Sequence, residues 1–450
     1  MVSPIVSLQA PKDVSIDEIE AELRSLWQTQ GTDEDSAAVS RAATFSLIVY
    51  EPDGTQQLLA SLGFYTGPID GIAGPRTKAA IKAAQKAYGM DATGKSNKEL
   101  LARLQSEFAI AKEKDKLPPE NKPAAVSYTP DSAGITADVI AASNPCRIIT
   151  LCPILGEDTG VTAQVSAYCP INKQSQNTLV CCEYITLSGT TEALDRIGGI
   201  IAELAIADLP KFVWWKATPT PELPLFKRLV SSSDTVIFDS SSFIEPEESL
   251  QTLAELLKQD TALADINWRR LAPWQELAAA AFDPPERRSA IYEVDRVTID
   301  YEKGNESQAL MFLGWLASRL QWTPTEYKVE GGDYDIRRVK FTDEKQREIE
   351  AELAGLPTAD WGDIPGDLVS LKLTSTNEEA DCCTVLCSST TGCMRMEAGG
   401  GAQSCYIEQV TPLFDQKSEE LLGQQLQRWG REMLYEESMA ISAQILKLAE

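Results

Sequence analysis

Residues 178–207 read TLVCCEYITLSGTTEALDRIGGIIAELAIA, and the fold turns on them. TLVCCEYITLSG (178–189) is an apolar strand, and Thr190 or Thr191 then offers a side-chain oxygen to an unpaired first-turn amide, so a capped helix runs on to Ala207. Outward from this strand-helix unit the same alternation recurs. AATFSLIVY (42–50) is a buried strand stopped at the turn cluster Glu51-Pro52-Asp53-Gly54, CRIITLCPIL (146–155) is a strand, and FVWW (212–215) and TVIFDS (235–240) continue the series. That order predicts an α/β fold with a partly parallel sheet over about residues 36–290. Residues 1–54 contribute its first strand and a preceding helix, in which Ile16, Ile19, Leu23 and Leu26 share one face behind Ser15 and Glu18, a capping-box pair.

Residues 55–106 interrupt the sheet with an Ala-, Lys- and Gly-rich helical module. LGFYTGPIDGIAGPRTKAAIKAAQKAYGMDATG (62–94) resembles the peptidoglycan-binding-like three-helix domain, through the Asp70-Gly71 turn and a Gly-Pro-x-Thr entry that puts Pro75 in the first helical turn, where its missing N–H costs nothing. This chain has Ala84 before Gln85, where that family usually has an aromatic. The expected role is a spacer or docking unit. Residues 107–134 are charged and Pro-rich, as in a linker, and 135–290 resume the α/β domain. Residues 291–450 change pattern: IYEVDRVTIDYE, a helix over Ser307 to Leu320, then YDIRRVKFT, LVSLKLTS, DCCTVLCS, CMRMEAG and SCYIEQVT predict an α+β domain with an antiparallel sheet, closed by an amphipathic C-terminal helix.

The 450 residues include ten cysteines and no histidine. Histidine is the one side chain that titrates near neutrality unperturbed, so Ser-His-Asp and Cys-His nucleophiles and imidazole-ligated zinc are excluded. Carboxylate, lysine or cysteine chemistry and plain binding remain, and binding leads. A net charge of −26, from 41 Lys+Arg against 67 Asp+Glu, disfavours nucleic acid and anionic membrane surfaces and favours a protein partner. The N-terminus lacks a basic region followed by an apolar run, and no apolar run spans a membrane, so a cytoplasmic location is expected. No GxxxxGK[ST] phosphate loop occurs, Gly198-Gly199 lies in helical pattern and GGGA (399–402) reads as a hairpin loop, so no cofactor is expected.

In a reducing compartment, thiols serve as packing, as metal ligands or as switches. If DCCTVLC and CMRMEA form a hairpin around Ser388 to Gly392, Cys387 and Cys393 stand opposite and close enough for a reversible disulfide. Buried packing is the competing reading. Cys382, Cys383 and Cys405 are weaker candidates for the same switch. No metal is expected, because Cys383-x3-Cys387 is half a zinc knuckle and Cys393-x11-Cys405 is not the other half. Cys146, Cys152, Cys169, Cys181 and Cys182 read mainly as core thiols. Trp214, Trp215, Trp268, Arg269, Arg270 and Trp274 have the Trp-and-Arg composition of an interface hot spot, and core aromatics with a solvated basic pair are equally open.

Asp208-Leu209-Pro210 followed by Trp214-Trp215, Asn267-Trp268-x2-Leu271-x-Pro273-Trp274 and Phe282-Asp283 resemble the glucose-6-phosphate dehydrogenase assembly-protein (OpcA) family, as do Arg41-Ala42-x-Thr44 and Pro145-Cys146-Arg147. The likeness covers nearly all of the chain outside 55–134, and the inserted module is similar to one in members from photosynthetic prokaryotes. It implies a non-catalytic activator that binds the tetrameric dehydrogenase at the entry to the oxidative pentose phosphate pathway. It also implies thioredoxin control, which favours Cys387 and Cys393 as the switch. The competing class is an enzyme acting on a sugar phosphate through a facing carboxylate pair or a lysine.

Overall fold

The computed structural model describes residues 5–30, 38–41, 43–52, 54–67, 69–113, 140, 146–170, 178–357, 364, 366–377, 379–389, 393–398, 407–412, 418–428 and 430–449. The chain forms two compact units, one of residues 1–238, 261–263 and 418–430, the other of 239–260, 264–417 and 431–450.

The first unit is built on a mixed sheet of β1 (Ile5–Val14), β2 (Ala38–Arg41), β3 (Ser46–Tyr50), β4 (Arg147–Pro153), β5 (Thr162–Pro170), β6 (Thr178–Gly189), β7 (Lys211–Trp215) and β8 (Thr235–Phe238), with β9 (Leu263–Asp265) at the edge, where the chain passes at Ala264 into the second unit. Their order is β1-β5-β6-β4-β3-β7-β8-β9, with β2 against β6. Strands β6, β4, β3, β7 and β8 run parallel. From β3 the chain winds outward through β4 to β6, then returns to β3's other side for β7 and β8, which is the doubly wound arrangement. A parallel strand covered on both faces must be apolar throughout, and every residue of β3 is buried. Helix α1 (Ile19–Gln30) is anchored to the sheet by charge as well as by its apolar face: Arg147 reaches Glu183 at 2.7 Å and Glu20 at 2.5 Å, and the Trp27 indole donates to Glu183 at 2.6 Å.

Between β3 and β4 lies the inserted module, α2 (Thr55–Ser61), α3 (Pro75–Ala87) and α4 (Lys98–Glu113). Pro75 is in the first turn of α3 as expected, and α4 runs past residue 106 into the segment read as linker. After β6, Thr190 caps the next helix by accepting from the Ala193 amide at 3.2 Å. The single helix expected to Ala207 is instead two, α5 (Thr191–Arg196) and α6 (Gly198–Leu204), parted at Ile197, whose φ of −100° and ψ of 11° leave the helical region. Gly198-Gly199 follows that break, and glycine resists helix most after proline. Helix α7 (Pro224–Ser231) then links β7 to β8.

The second unit begins at Asp239, not near residue 290. The Asn305 amide explains this, since it donates to the carbonyls of Ser240, Ser241 and Phe243 at 2.9–3.2 Å and fastens the segment after β8 into this unit's interior. Its helices are α8 (Pro246–Lys258), α9 (Ile266–Arg270), α10 (Ala272–Ala280) and α11 (Ser307–Leu320). Its sheet comprises β10 (Arg296–Glu302), β11 (Thr323–Gly331), β12 (Ile336–Thr342), β13 (Glu348–Leu356), β14 (Leu368–Thr374), β15 (Thr384–Ser389), β16 (Cys393–Ala398) and β17 (Ile407–Pro412). The order is β11-β12-β13-β10-β14-β15-β16-β17, antiparallel except for β10 beside β13. The C-terminal helix is two, α12 (Ser418–Gln425) in the first unit and α13 (Met433–Lys447) in the second, with Gly430 between them at φ +96°.

Helix α11 is buried almost throughout and packs on α13 through small residues, Ser438 donating to the Met311 carbonyl at 2.6 Å and Ser442 to that of Leu310 at 3.1 Å. A Cβ on Gly314 would lie 2.5 Å from the Ser438 carbonyl oxygen and closer still to the Ser442 hydroxyl. Backbone cannot retreat as a side chain can, so Gly314→Ala should destabilise the second unit by about 2 kcal/mol or more, read as a lower urea midpoint with unchanged slope.

Candidate functional site

Doubly wound sheets bind ligands in the crevice at the carboxyl ends of their strands, where the winding reverses. Here the inserted module fills it. The Tyr50 hydroxyl, at the end of β3, donates to the Asp70 carbonyl at 2.9 Å. Thr191, at the start of α5, donates to the Gly71 carbonyl at 2.9 Å, and Thr218, just past β7, exchanges two bonds with the Ile69 backbone at 2.8 and 3.2 Å. Gly71 has φ +76°, and a Cβ there would sit 3.0 Å from Pro153 at the end of β4, so conformation and space both call for glycine. Gln56 holds the turn from within the module, its carbonyl accepting from the amides of Asp70 and Gly71 and its NH2 donating to the Asp70 carboxylate at 2.8 Å. Burial raises the Asp70 pKa. The Asp70-Gly71 turn thus faces the sheet, and the amino end of α5 is met by a carbonyl of this chain.

The aromatic candidates and Arg270 are interior, and Arg269 is half-buried. Trp214, Trp215, Trp268 and Trp274 are each at most 3% exposed and Arg270 is 6% exposed, so these side chains present no surface to a partner. Trp215 stacks flat on Tyr50 with centroids 3.7 Å apart and donates to the Thr218 carbonyl at 3.0 Å, while Lys216 lies 4.7 Å over the Trp214 ring. Trp268 and Arg269 share Glu432, at 3.0 and 2.7 Å. Glu432, far along the chain, carried no signal in the sequence.

Arg270 clasps Asp239 with two bonds, 2.8 and 2.9 Å, and Asp239 adjoins a second carboxylate, Asp265. This is a carboxylate pair of the kind an enzyme would use, yet both are bound into the fold: Asp265 is buried and accepts from the amides of Ser240 at 3.0 Å and Asn267 at 2.8 Å. Burial first, then the Asp239 charge, push the Asp265 pKa up to about 6.

The cysteine strands differ from expectation in register. On β15 and β16, Cys387 pairs with Arg395 and Ser389 with Cys393, so Cys387 and Cys393 are two positions out of opposition. Diagonal neighbours lie about 7–8 Å apart, beyond disulfide reach without backbone movement. Cys387 is an exposed thiol, Cys383 is half-buried, and burial pushes the Cys382 thiol up to about 11. Cys405 and Gly399 to Ala402 lie outside the described residues. In the first unit, Cys182 accepts from the Cys146 amide at 3.5 Å, the two thiols are hydrogen-bonded and burial raises the Cys146 pKa. Cys181, read as a core thiol, is disulfide-bonded. Among the described residues no cluster of three or more Cys, Asp or Glu is placed to hold a metal ion, and no helix is long and apolar enough to cross a membrane.

A doubly wound unit closed by a wall-binding-like insert, joined to a mostly antiparallel second unit, defines a class that comparison with known proteins narrows. Residues 137–255 match the glucose-6-phosphate dehydrogenase subunit N-terminal domain, 261–439 the corresponding C-terminal domain, and 55–104 the "Putative peptidoglycan binding domain". The chain is 60% identical to the "Putative OxPP cycle protein OpcA" of Synechocystis sp. over 99% of this chain and 94% of that one. It is 58% identical to the protein of that name from Nostoc punctiforme, over 99% and 96%. The chain belongs to the OpcA family of glucose-6-phosphate dehydrogenase assembly proteins. Among solved structures, a dehydrogenase from Chromobacterium violaceum aligns over 57% of this chain and 83% of that one at 12% identity with a TM-score of 0.34, too slight a likeness to carry an argument.

The Asp265 carboxyl gives a pH signature. Its folded pKa of about 6 exceeds the unfolded value of about 3.9, so the folded state binds the extra proton and this group's contribution to stability falls as pH rises from about 4 to about 6. Asp265→Asn keeps an acceptor for both amides and removes the charge. Its stability relative to wild type should therefore improve by about 2–3 kcal/mol between pH 4 and pH 7, read from urea midpoints at both pH values.

Proposed function

We propose that the chain is a non-catalytic assembly factor and allosteric activator of glucose-6-phosphate dehydrogenase, acting in the oxidative pentose phosphate pathway. Family membership along the chain supports the association, since both large matched domains carry that dehydrogenase's name and the relatives are named for the OxPP cycle. The observation that carries the non-catalytic part is the filled crevice: a dehydrogenase on a doubly wound sheet needs that space for its dinucleotide, and the Ile69 to Gly71 backbone occupies it.

An activator without chemistry works by binding the competent conformer of its target better than the incompetent one, and a tenfold preference is about 1.4 kcal/mol. Net charge of −26 suits a basic surface on the partner. With the tryptophans and Arg270 interior, they act by shaping the elements that carry the contact.

The redox arm of the proposal rests on Cys387 and Cys393, with thioredoxin as the dithiol partner and the oxidised form as the better activator. Because the two positions are diagonal, forming their bond would require β15 to move relative to β16, which couples the bond to the shape of that sheet edge. Titration of the chain, oxidised and then reduced, into a glucose-6-phosphate dehydrogenase assay tests both parts. Activation is expected, steeper for the oxidised chain, with the difference lost in Cys387→Ser and with no turnover by the chain alone. An unchanged dehydrogenase rate, or turnover by the isolated chain, overturns the main reading; identical oxidised and reduced curves overturn the switch.

A further inference from the structure

The partner of Cys181 follows from strand register. Strands β5 and β6 pair antiparallel, Ala167 with Glu183 and Tyr168 with Cys182, and the next step along this ladder brings Cys169 to Cys181. Cys169 is itself in register with Val6 of β1, and Cys181 with Arg41 of β2, so one row crosses four strands: Val6, Cys169, Cys181, Arg41. Cys146, Cys152, Cys182, Cys382, Cys383 and Cys387 carry thiols, and of the remaining cysteines Cys393 and Cys405 belong to the second unit. We propose that a Cys169–Cys181 disulfide staples the outer edge of the first sheet and is a redox-responsive site separate from the Cys387 hairpin, opened by dithiol reductants.

Residues directly opposed across an antiparallel pair have Cα atoms about 4.5–5.5 Å apart, inside the range a disulfide spans without backbone movement. This is the opposition that Cys387 and Cys393 lack. The neighbouring thiols do not compete for the bond. Successive residues of a strand point to opposite faces, so Cys182 and its partner Cys146 are separated from the Cys181 sulfur by the sheet itself. Opening is ordinary thiol–disulfide exchange: one thiolate of the dithiol attacks a sulfur of the bond, the second closes on the first, and two electrons and two protons pass to Cys169 and Cys181 while the reductant leaves as its own disulfide.

The mechanical effect follows from the strand order. Among the described residues strand β1 pairs with β5 alone, and β5 joins the rest of the sheet through β6, so the staple lies on the path that holds β1 to the unit. Reduction loosens β1 and β5 and leaves the parallel centre, β3 and β7, as it was.

Trypsin cuts after Lys173, between the two cysteines, so a digest of the unreduced, alkylated full chain should contain the peptides bearing Cys169 and Cys181 joined. The join should persist in Cys152→Ser and Cys182→Ser and vanish in Cys169→Ser. Its absence from the oxidised wild type, or its survival in Cys169→Ser, overturns the pairing. Hydrogen exchange with and without dithiothreitol tests the consequence on the wild-type chain: amides of residues 5–14 and 162–170 should exchange about tenfold faster or more after reduction, with β3 and β7 unchanged. Equal exchange in both states, or the same response in Cys169→Ser/Cys181→Ser, overturns the staple's role.

Discussion

Tyr50 ends the central strand β3, lies flat against Trp215 and gives its hydroxyl to the backbone of the inserted module. Much of the first unit is arranged around that side chain. A tyrosine so deeply buried needs an acceptor for its hydroxyl, and the module's turn supplies one where a ligand-binding sheet would leave a cleft. Gly71 allows the approach, Gln56 holds the turn rigid and Thr191 and Thr218 fix it from either side. The Asp70-Gly71 turn of the module is thereby turned toward the sheet and packs against it.

The strand-helix alternation was legible because strands covered on both faces read as unbroken apolar runs, as SLIVY does in β3. Pro75 and Thr190 marked helix starts for stereochemical reasons that survive any tertiary setting. By contrast, EIEAEL at the start of β13 is rich in the helix formers Glu, Ala and Leu and is a strand because Ile349, Ala351 and Leu353 alternate inward against the sheet's neighbours. The Cys387 register was illegible for a sharper reason. Slipping one strand past its neighbour by two residues keeps every side chain on its original face, so the apolar pattern permits both alignments and only the turn distinguishes them.

The candidate site was legible in outline and misread in its exposure. Tryptophan beside arginine has the same composition at an interface and in a polar core, and what separates the two is the partner. Arg270 finds Asp239, and Trp268 with Arg269 finds Glu432, more than 160 residues along the chain, so no local pattern could reveal them. Strand β5, which carries Cys169, has no counterpart among the strands expected from the sequence, so nothing local set Cys169 beside Cys181.

The return of residues 418–430 to the first unit makes the two units topologically inseparable. No single cut of the backbone yields both intact, because the first unit needs a helix made after nearly all of the second. During synthesis the first unit therefore stays incomplete until the last few dozen residues emerge, and a chain stopped short of them loses part of the unit that was begun first.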